Sequence, residues 1–356
     1  HMARSALYCA WEQAILSQAS RQVLTLFLPI RGPKNGANLI DCWISKRELV
    51  WAMRRHNDSK GWCSFMGHLS LKAILDDAKT RRYGVPTLWG GNVEKVLGHI
   101  RAAELNCAPF CLCYNYGLCP ELPIEIGIPL IVSAAEQARV PVATILDHGD
   151  DLEMVTKAIY YGVSSVMFDG SRFPYQENVR LTKEVTRVAH AVEISVEAEL
   201  GAVGGSAIET RGDKDIRSVM TDPLQAKDFV EQTGVDALAI SFGNVHGAYK
   251  GEPKLDLDRV RKICELVSVP LVMHGASGLK ESDYQAIIAS GISKLNYHTA
   301  MSKKAALNIQ QKVENVPADF GFHSIMNWNI QFYQEETRHL FDVLGCTGKA
   351  NNFNKQ

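Results

Sequence analysis

The chain has 356 residues, 46% hydrophobic and 22% charged, which is typical of a globular protein and excludes a disordered one. Its 38 basic and 39 acidic side chains give a formal net charge of −1, so no overall field attracts nucleic acid or an anionic membrane. No apolar run reaches the roughly 18 residues of a membrane span. The run at 23–30 lacks the flanks of a signal peptide. We expect no nucleic-acid partner and no membrane partner.

Nine cysteines, an odd number, are scattered along the chain. This distribution fits a reduced, intracellular protein, so we expect it in the cytoplasm. Cys111 and Cys113 lie on one face of an apolar run. They could bind a metal ion, but a packed strand is the better interpretation because no second pair lies nearby.

The chain divides into two parts, 1–66 and 67–356. The first part contains no dense motif and is interpreted as an N-terminal extension of unknown role. From Leu69 onwards, short apolar runs alternate with longer segments of helical period. The strand-like runs are 85–89, 109–114, 140–146, 164–168, 194–199, 236–242, 270–273 and 292–296, and the helix-like segments are 93–104, 134–138, 151–160, 177–190, 223–232, 257–266 and 281–288.

Eight strand-like runs that alternate with helices predict parallel pairing through crossovers, and eight strands close a (β/α)8 TIM barrel. A doubly wound open sheet is the alternative, but no G-x-G-x-x-G follows the first strand. The segment 69–83 predicts an extra helix that plugs the lower end of the barrel. The predicted fold class is therefore α/β, a TIM barrel with an N-terminal extension.

Active sites of such barrels form where strands end and the following loops begin. Polar side chains concentrate at these positions, which is the main result of the pattern analysis. They are Asp147 and His148 after strand three, Asp169 after strand four, Glu197 and Glu199 on strand five, His246 after strand six, His274 after strand seven, and Asn296 with Thr299 after strand eight.

Three histidines, His148, His246 and His274, occupy equivalent places at strand ends. Three imidazoles with open coordination positions are typical of catalytic zinc. Each alone could be an ordinary loop histidine, but three in equivalent positions favour a metal site. Asp147 could act as an acid/base or orient a ligand. For the buried Glu197 we favour an internal salt bridge.

Small residues after strand seven, Gly275, Ala276 and Ser277, offer backbone amides suited to a phosphate, although any tight turn also uses glycine. Barrels commonly complete such a site after strand eight, where Asn296 and Thr299 lie. The side chain of Lys250 could add a positive charge.

Motifs at these positions resemble the class II, zinc-dependent ketose-bisphosphate aldolases, closest to the tagatose/fructose-bisphosphate branch. The similarity runs in order from about Leu69 to Ala350. The matching stretches are LDHG at 146–149, VMFDGS at 166–171, SVEAELG at 195–201, GNVHGAYK at 243–250, HGASG at 274–278, KLN at 294–296 and GCTGKA at 345–350.

The resemblance implies a homodimer or homotetramer of TIM barrels, with one catalytic Zn²⁺ held by the three histidines. Asp147 takes the proton-donor position. Asp169 and Glu199 match positions associated with a second cation, divalent or monovalent. The positions of the dihydroxyacetone phosphate half correspond to Gly247, Gly275, Ala276, Ser277, Asn296, Tyr297, His298 and Thr299.

Several positions depart from the family pattern. Trp89 stands where an asparagine is usual and fills volume in the mouth, and Asn115 aligns with a serine. His298 replaces a short or acidic residue. After 204–205 an acidic pair is usual, and Glu209 is the candidate left there for proton exchange at the nucleophile carbon.

The resemblance thus implies a carbon–carbon lyase of carbohydrate metabolism, with a role in glycolysis. We expect it to cleave a phosphorylated ketose, by default fructose or tagatose 1,6-bisphosphate, into dihydroxyacetone phosphate and an aldehyde. The alternatives are the same zinc chemistry with another aldehyde or donor, a Schiff-base aldolase acting through Lys294, and an inactive metal-binding relative that binds partners through 1–66.

Overall fold

The computed structural model describes residues 67–205, 219–247, 249, 251–314, 316 and 320–355. The predictions for 1–66, Glu209 and Lys250 lie outside the described residues.

Eight parallel strands close a barrel in which each strand pairs with its neighbours in chain order and the last pairs with the first. The predicted TIM barrel is therefore confirmed, and every predicted strand is present to within a few residues at each end. The strands are β1 (Val85–Trp89), β2 (Phe110–Tyr114), β3 (Val142–Gly149), β4 (Ser165–Phe168), β5 (Ser195–Leu200), β6 (Ala237–Ile240), β7 (Leu271–Met273) and β8 (Ile292–Asn296).

The described part of the chain has ten α-helices, none of them long and apolar enough to cross a membrane. One predicted helix begins at Ile124 instead of 134, because the helix continues through Pro129 at the loss of one backbone hydrogen bond. The helices are α1 (Leu71–Arg81), α2 (Val93–Asn106), α3 (Ile124–Gln137), α4 (Leu152–Tyr160), α5 (Tyr175–His190), α6 (Pro223–Thr233), α7 (Leu257–Leu266), α8 (Glu281–Ser290), α9 (Thr299–Val313) and α10 (Phe322–Val343).

Side-chain caps fix where several of these helices begin. The carboxamide of Asn92 and the carboxylates of Asp151 and Asp222 each accept hydrogen bonds of 2.8–2.9 Å from amides of the first helical turn. Such a cap satisfies backbone donors that have no partner within the helix. The caps place each helix directly after the loop that carries site residues.

The extra helix α1 closes the lower end of the barrel, as predicted. The amide of Lys72 donates to Ser195 Oγ at the start of β5, and the ammonium of Lys79 donates to three backbone carbonyls before β7, including that of Ser268. The face of α1 toward the barrel consists of Leu71, Ile74, Leu75 and Ala78, all essentially buried. The C-terminal end of the barrel, called the mouth below, faces away from this plug.

Two helices that the strand-and-helix pattern did not predict follow β8. Helix α9 begins at Thr299, and the 22-residue α10 packs along α2. Polar contacts join α2 to α10: His99 Nδ1 lies 2.7 Å from Thr337 Oγ1 in a buried contact, and the exposed Arg338 donates to Asn106 Oδ1 at 3.0 Å. The C-terminal helix therefore supports the flank of the barrel next to β1.

Candidate active site

The three histidines predicted as zinc ligands meet at the mouth. Ring nitrogens of His148, His246 and His274 all lie within 4.8 Å of one another, and the ring centroids are 4.7–5.7 Å apart. The rings come from the end of β3, from a short strand after β6, and from the residue after β7. Residues far apart in sequence thus form one compact group of nitrogen donors.

The end of β3 turns two adjacent side chains into the same space. The pairing of β3 with β4 shifts register between Leu146 and Gly149, and His148 has a left-handed backbone with φ of 52°. Adjacent strand residues otherwise point to opposite faces. The irregularity lets both Asp147 and His148 line the mouth cavity, and a strained non-glycine residue at this place is typical of functional sites.

A short strand carries His246. Val245–His246 pairs with Gly204–Gly205, outside the barrel sheet. The carboxamide of Asn244 donates to the backbone oxygen of His274 at 3.0 Å, so the loops of two histidines are tied together. Gly275 has φ of 68°, and a Cβ there would lie 2.0 Å from the Val245 oxygen, so only glycine fits this crossing. Sequence analysis did not assign a role to Asn244.

The hydrogen bonds of two histidines direct their free nitrogens toward each other. His148 Nδ1 lies 2.8 Å from Asp169 Oδ2, and His274 Nε2 lies 3.0 Å from Glu197 Oε1. When both imidazoles are neutral and these nitrogens donate, the remaining His148 Nε2 and His274 Nδ1 face each other at 3.1 Å as acceptors. A cation between them resolves this opposition, and carboxylates behind ligating imidazoles are the usual support of a metal ligand.

The imidazole of His246 gives a second indication that a metal ion fits among the three histidines. Both of its ring nitrogens are buried, and neither has a hydrogen-bond partner among the described residues. A buried polar atom without a partner destabilises a protein by about 1–3 kcal/mol, so such atoms call for an explanation. A metal ion bound by one of the two nitrogens supplies one, and the donor set fits zinc.

Burial and the neighbouring charges shift the pKa values of the three histidines in different directions. Burial disfavours the protonated form of His148, but the carboxylates of Asp147 and Asp169 outweigh it and raise the pKa to about 10. Burial and the charge on His148 lower the pKa of His246 and His274 well below the ordinary value. In this site a proton on His148 thus supplies the positive charge, and a bound metal ion would replace that proton, because only a neutral imidazole ligates a metal.

A second group of donors adjoins the first. Ligand atoms of His148, Asp169 and Glu199 also lie within 4.8 Å of one another. Burial and the Asp169 carboxylate raise the pKa of Glu199 well above its usual value. Its Oε2 has no hydrogen-bond partner among the described residues, and it lies 3.6 Å from His274 Nδ1. The two carboxylates thus lie where the resemblance places a second or alternative cation.

Asp147 is buried and held by two amides. Its Oδ2 accepts from Asn115 Nδ2 at 3.2 Å, and its Oδ1 accepts from Asn296 Nδ2 at 3.0 Å. Burial alone raises the pKa of this carboxyl, but the nearby positive charges, led by that on His148, outweigh burial and lower it. The residue is therefore an ionised carboxylate fixed at the cavity wall.

Glu197 and Lys294 form the internal salt bridge that we favoured. Their side chains are fully buried, with Nζ 2.9 Å from Glu197 Oε2, and the same ammonium donates to Asn296 Oδ1 at 2.8 Å. Burial opposes the charge on Lys294, but the carboxylates of Glu197 and Asp147 outweigh it and raise its pKa. A lysine held protonated has no lone pair for a Schiff base, so its position argues against that mechanism.

The predicted substrate-binding residues that the structure describes either line the cavity at the mouth or directly follow a residue that does. Gly247 is buried beside His246, and Thr299 opens α9. The cavity at the mouth is lined by Asp147, His148 and His246 together with Gly275, Ser277, Asn296, Tyr297, His298, Thr87, Trp89, Cys113, Asn115 and Leu118.

Two details differ from the sequence-based expectation for the phosphate loop. The amide of Ala276 is not exposed, because it donates to the Asn296 backbone oxygen at 3.1 Å. The Asn296 side chain turns toward Asp147 and Lys294, so it belongs to the acid/base group. Ser277 Oγ accepts from the amide of His298 at 3.1 Å, which joins the two loops at this end.

The sequence model of the family described as fructose-bisphosphate aldolase class-II matches residues 69–349, most of the chain and all of the described site. The chain belongs to this aldolase family. The resemblance read from the motifs is thereby confirmed.

Individual relatives agree with the family assignment. The uncharacterized protein YdjI of Escherichia coli K12 is 39% identical over 236 residues, which cover 66% of this chain and 84% of YdjI. The crystal structure of the YdjI aldolase has a TM-score of 0.71 at 34% identity, covering 80% of this aldolase and 99% of YdjI.

Two further structures share the architecture. A putative fructose-1,6-bisphosphate aldolase from Coccidioides immitis has a TM-score of 0.70 at 29% identity, covering 79% of this chain and 98% of its own. The fructose-bisphosphate aldolase of Campylobacter jejuni, at 20% identity and a TM-score of 0.66, covers 80% of this chain and 97% of its own. At that identity it shows the fold alone.

Proposed function

We propose that this aldolase catalyses the zinc-dependent cleavage of a phosphorylated ketose, and the reverse condensation, with fructose or tagatose 1,6-bisphosphate as the default substrate. The observation that carries the proposal is the group of three histidines, with His148 Nε2 and His274 Nδ1 opposed at 3.1 Å, beside the ionised Asp147. Family membership supplies the reaction class.

His148, His246 and His274 are proposed to hold the catalytic ion, and Asp169 with Glu199 a second cation. When bound, the zinc ion polarises the ketone and hydroxyl oxygens of the ketose and offsets the negative charge that develops as the C3–C4 bond breaks. Asp169 and Glu197 keep two of the imidazoles in the tautomers that leave a nitrogen free.

Asp147 is proposed to move the proton at C4. In cleavage its carboxylate accepts the proton of the C4 hydroxyl, and in condensation it returns a proton to the aldehyde oxygen. The amides of Asn115 and Asn296 fix both carboxylate oxygens, so the group stays in one orientation. Glu209, outside the described residues, remains the candidate for proton exchange at C3.

The phosphate of the dihydroxyacetone phosphate half is proposed to bind at the loops after β7 and β8. Gly275, Ser277 and Thr299 lie there, with His298 and Tyr297 beside them, and Gly247 adjoins His246. Lys250 would add a cation from the loop after His246. The start of α9 contributes a favourable partial positive charge for an anion.

Borohydride distinguishes this proposal from a Schiff-base mechanism. We expect that sodium borohydride, added with the ketose, leaves the activity intact and adds no mass to the protein, because Lys294 is protonated and paired with Glu197. Intact mass spectrometry measures the adduct. A ketose adduct on Lys294 would establish the lysine mechanism instead.

A coupled assay for dihydroxyacetone phosphate tests the function. Fructose and tagatose 1,6-bisphosphates are cleaved in parallel, with chelator and with zinc restored, and we expect cleavage that is lost on chelation and recovered with zinc. The ratio of the two rates gives the preference at C4. No cleavage by a protein shown to contain zinc would contradict the default substrate and favour another aldehyde or an inactive relative.

We also propose a homodimer or homotetramer in the cytoplasm, with residues 1–66 as an N-terminal extension of unknown role. Light scattering after size-exclusion chromatography measures the assembly. A version that starts at residue 67 tests whether the extension affects it.

A further inference from the structure

The mouth divides into sectors by strand. The proposed ion lies between β3, β6 and β7, and the proposed phosphate loops follow β7 and β8. Asp147, which meets the aldehyde oxygen in condensation, lies on β3 and contacts Asn115 just after β2. Asp169 after β4 and Glu199 on β5 belong to the proposed second cation site. The sector left for the carbon chain of the aldehyde is therefore the one at the ends of β1 and β2. The wall of that sector includes Trp89 and Leu118.

The Trp89 indole is held in place from several sides. The ammonium of Lys95, one turn into α2, lies 4.0 Å from the ring centroid, a cation–π contact. The imidazole of His298 meets the indole edge to face, with centroids 5.0 Å apart. A Cβ on Gly91 would lie 2.1 Å from the indole, so glycine there leaves room for the ring.

Helix α10 completes this support. The ammonium of Lys95 also lies 5.4 Å from the Tyr333 ring centroid, so it sits near two aromatic rings. Lys95 is 7% exposed, and burial lowers its pKa to about 8, at which it is still mostly protonated at neutral pH. Tyr333 is itself buried against His99, whose ring centroid is 5.5 Å away. The cation thus links the cavity wall to the C-terminal helix.

We propose that Trp89 is the residue that limits the length of the aldehyde accepted by this enzyme, and that Lys95 is a positioning residue that holds its indole against the cavity. The preferred partner of dihydroxyacetone phosphate is then a short, unphosphorylated hydroxyaldehyde in place of the phosphorylated three-carbon aldehyde that the default substrates release, and longer aldehydes meet the indole. This inference rests on the proposed function and names the part of the substrate that the family assignment leaves open.

The first test changes the wall. In condensation with dihydroxyacetone phosphate, two-carbon glycolaldehyde and four-carbon erythrose are compared for wild type and Trp89→Ala. We expect the ratio of kcat/KM for erythrose over glycolaldehyde to rise about 10-fold or more, since a pocket discriminates by about 10–200-fold per methylene. An unchanged ratio in a folded, zinc-containing Trp89→Ala protein would overturn the proposal.

The second test changes the support. Lys95→Met keeps the length of the side chain and removes its charge, so we expect a red-shifted Trp89 emission, obtained by subtracting the spectrum of Trp89→Phe. The ratio of kcat/KM for erythrose over glycolaldehyde should also rise, as in Trp89→Ala, mainly through a change in KM. Lys95→Arg should restore both, because a guanidinium also stacks on aromatic rings.

Lys157→Met is the matched control, since Lys157 pairs with Glu153 at 2.9 Å on the exposed face of α4. If Lys95→Met changes neither the emission nor the ratio, or if Lys157→Met changes them equally, Lys95 is not a positioning residue.

A direct binding measurement separates this inference from the proposed function. Saturation-transfer NMR with the zinc-loaded protein measures aldehyde binding without turnover when no dihydroxyacetone phosphate is added, because the aldehyde then has no partner for condensation. If wild type prefers glycolaldehyde and Trp89→Ala abolishes this preference, the result supports Trp89 as the residue that limits aldehyde length, even if the coupled assay finds no cleavage. Equal binding of both aldehydes by wild type contradicts it even if the ketose bisphosphates are cleaved.

Discussion

Replacing His246 with alanine is expected to abolish zinc binding and all aldolase activity. Its two ring nitrogens have no hydrogen-bond partner among the described residues, so the substitution removes a metal ligand and breaks no hydrogen bond there. The remaining His148 and His274 leave the ion with two of three proposed protein ligands, too few to complete the set typical of catalytic zinc. Elemental analysis after dialysis measures the zinc content, and circular dichroism verifies the fold.

His190→Ala is the control for this variant. His190 is 42% exposed and pairs with Asp236 at 2.8 Å, away from the mouth, so its loss should change neither zinc content nor rate. If the His246→Ala protein kept zinc and full activity, the three-histidine site would be wrong.

Replacing Asp147 with alanine is expected to lower kcat by ~10²–10⁴-fold while zinc remains bound, the usual range for a general acid/base. The carboxylate is not among the proposed ligands, and the three imidazoles are unchanged. Its removal takes away the acceptor of two amide donors, those of Asn115 and Asn296. We therefore also expect a loss of stability of about 1–3 kcal/mol, which thermal unfolding measures.

Asp151→Ala separates the two effects. Asp151 caps α4 through a 2.8 Å hydrogen bond, so its loss should cost about 0.5–2 kcal/mol of stability and leave kcat unchanged. A rate for Asp147→Ala close to that of wild type, at full zinc content, would remove Asp147 from the mechanism.

Local sequence pattern was sufficient for the barrel. Parallel strands covered by helices are buried on both faces, so each appears as a short apolar run between helical segments. The run predicted at 85–89 is strand β1, and that at 292–296 is β8. Because the carboxyl ends of parallel strands meet at one end of a barrel, the same pattern predicts that His148, His246 and His274 lie close together.

Contacts between residues far apart in the sequence cannot be predicted from that pattern. The left-handed backbone of His148 and the opposed nitrogens of His148 and His274 depend on the pairing of β3 with β4 and on Asp169 and Glu197. The hydrogen bond from the Ala276 amide to the Asn296 backbone oxygen depends on the position of β8. None of these leaves a periodic trace in the sequence, because each is set by packing across the barrel.

Trp89 shows both sides of this division. The sequence alone shows a tryptophan at the end of β1, in place of the asparagine that is usual in the family. It does not show the orientation of the side chain, since the indole is held by Lys95 on α2, which in turn lies near Tyr333 on a helix more than 200 residues later. The barrel and the candidate ligands can be predicted from the sequence, since both follow from local residue order. Protonation, side-chain orientation and the shape of the mouth depend on which distant side chains come into contact, so only the folded structure reveals them.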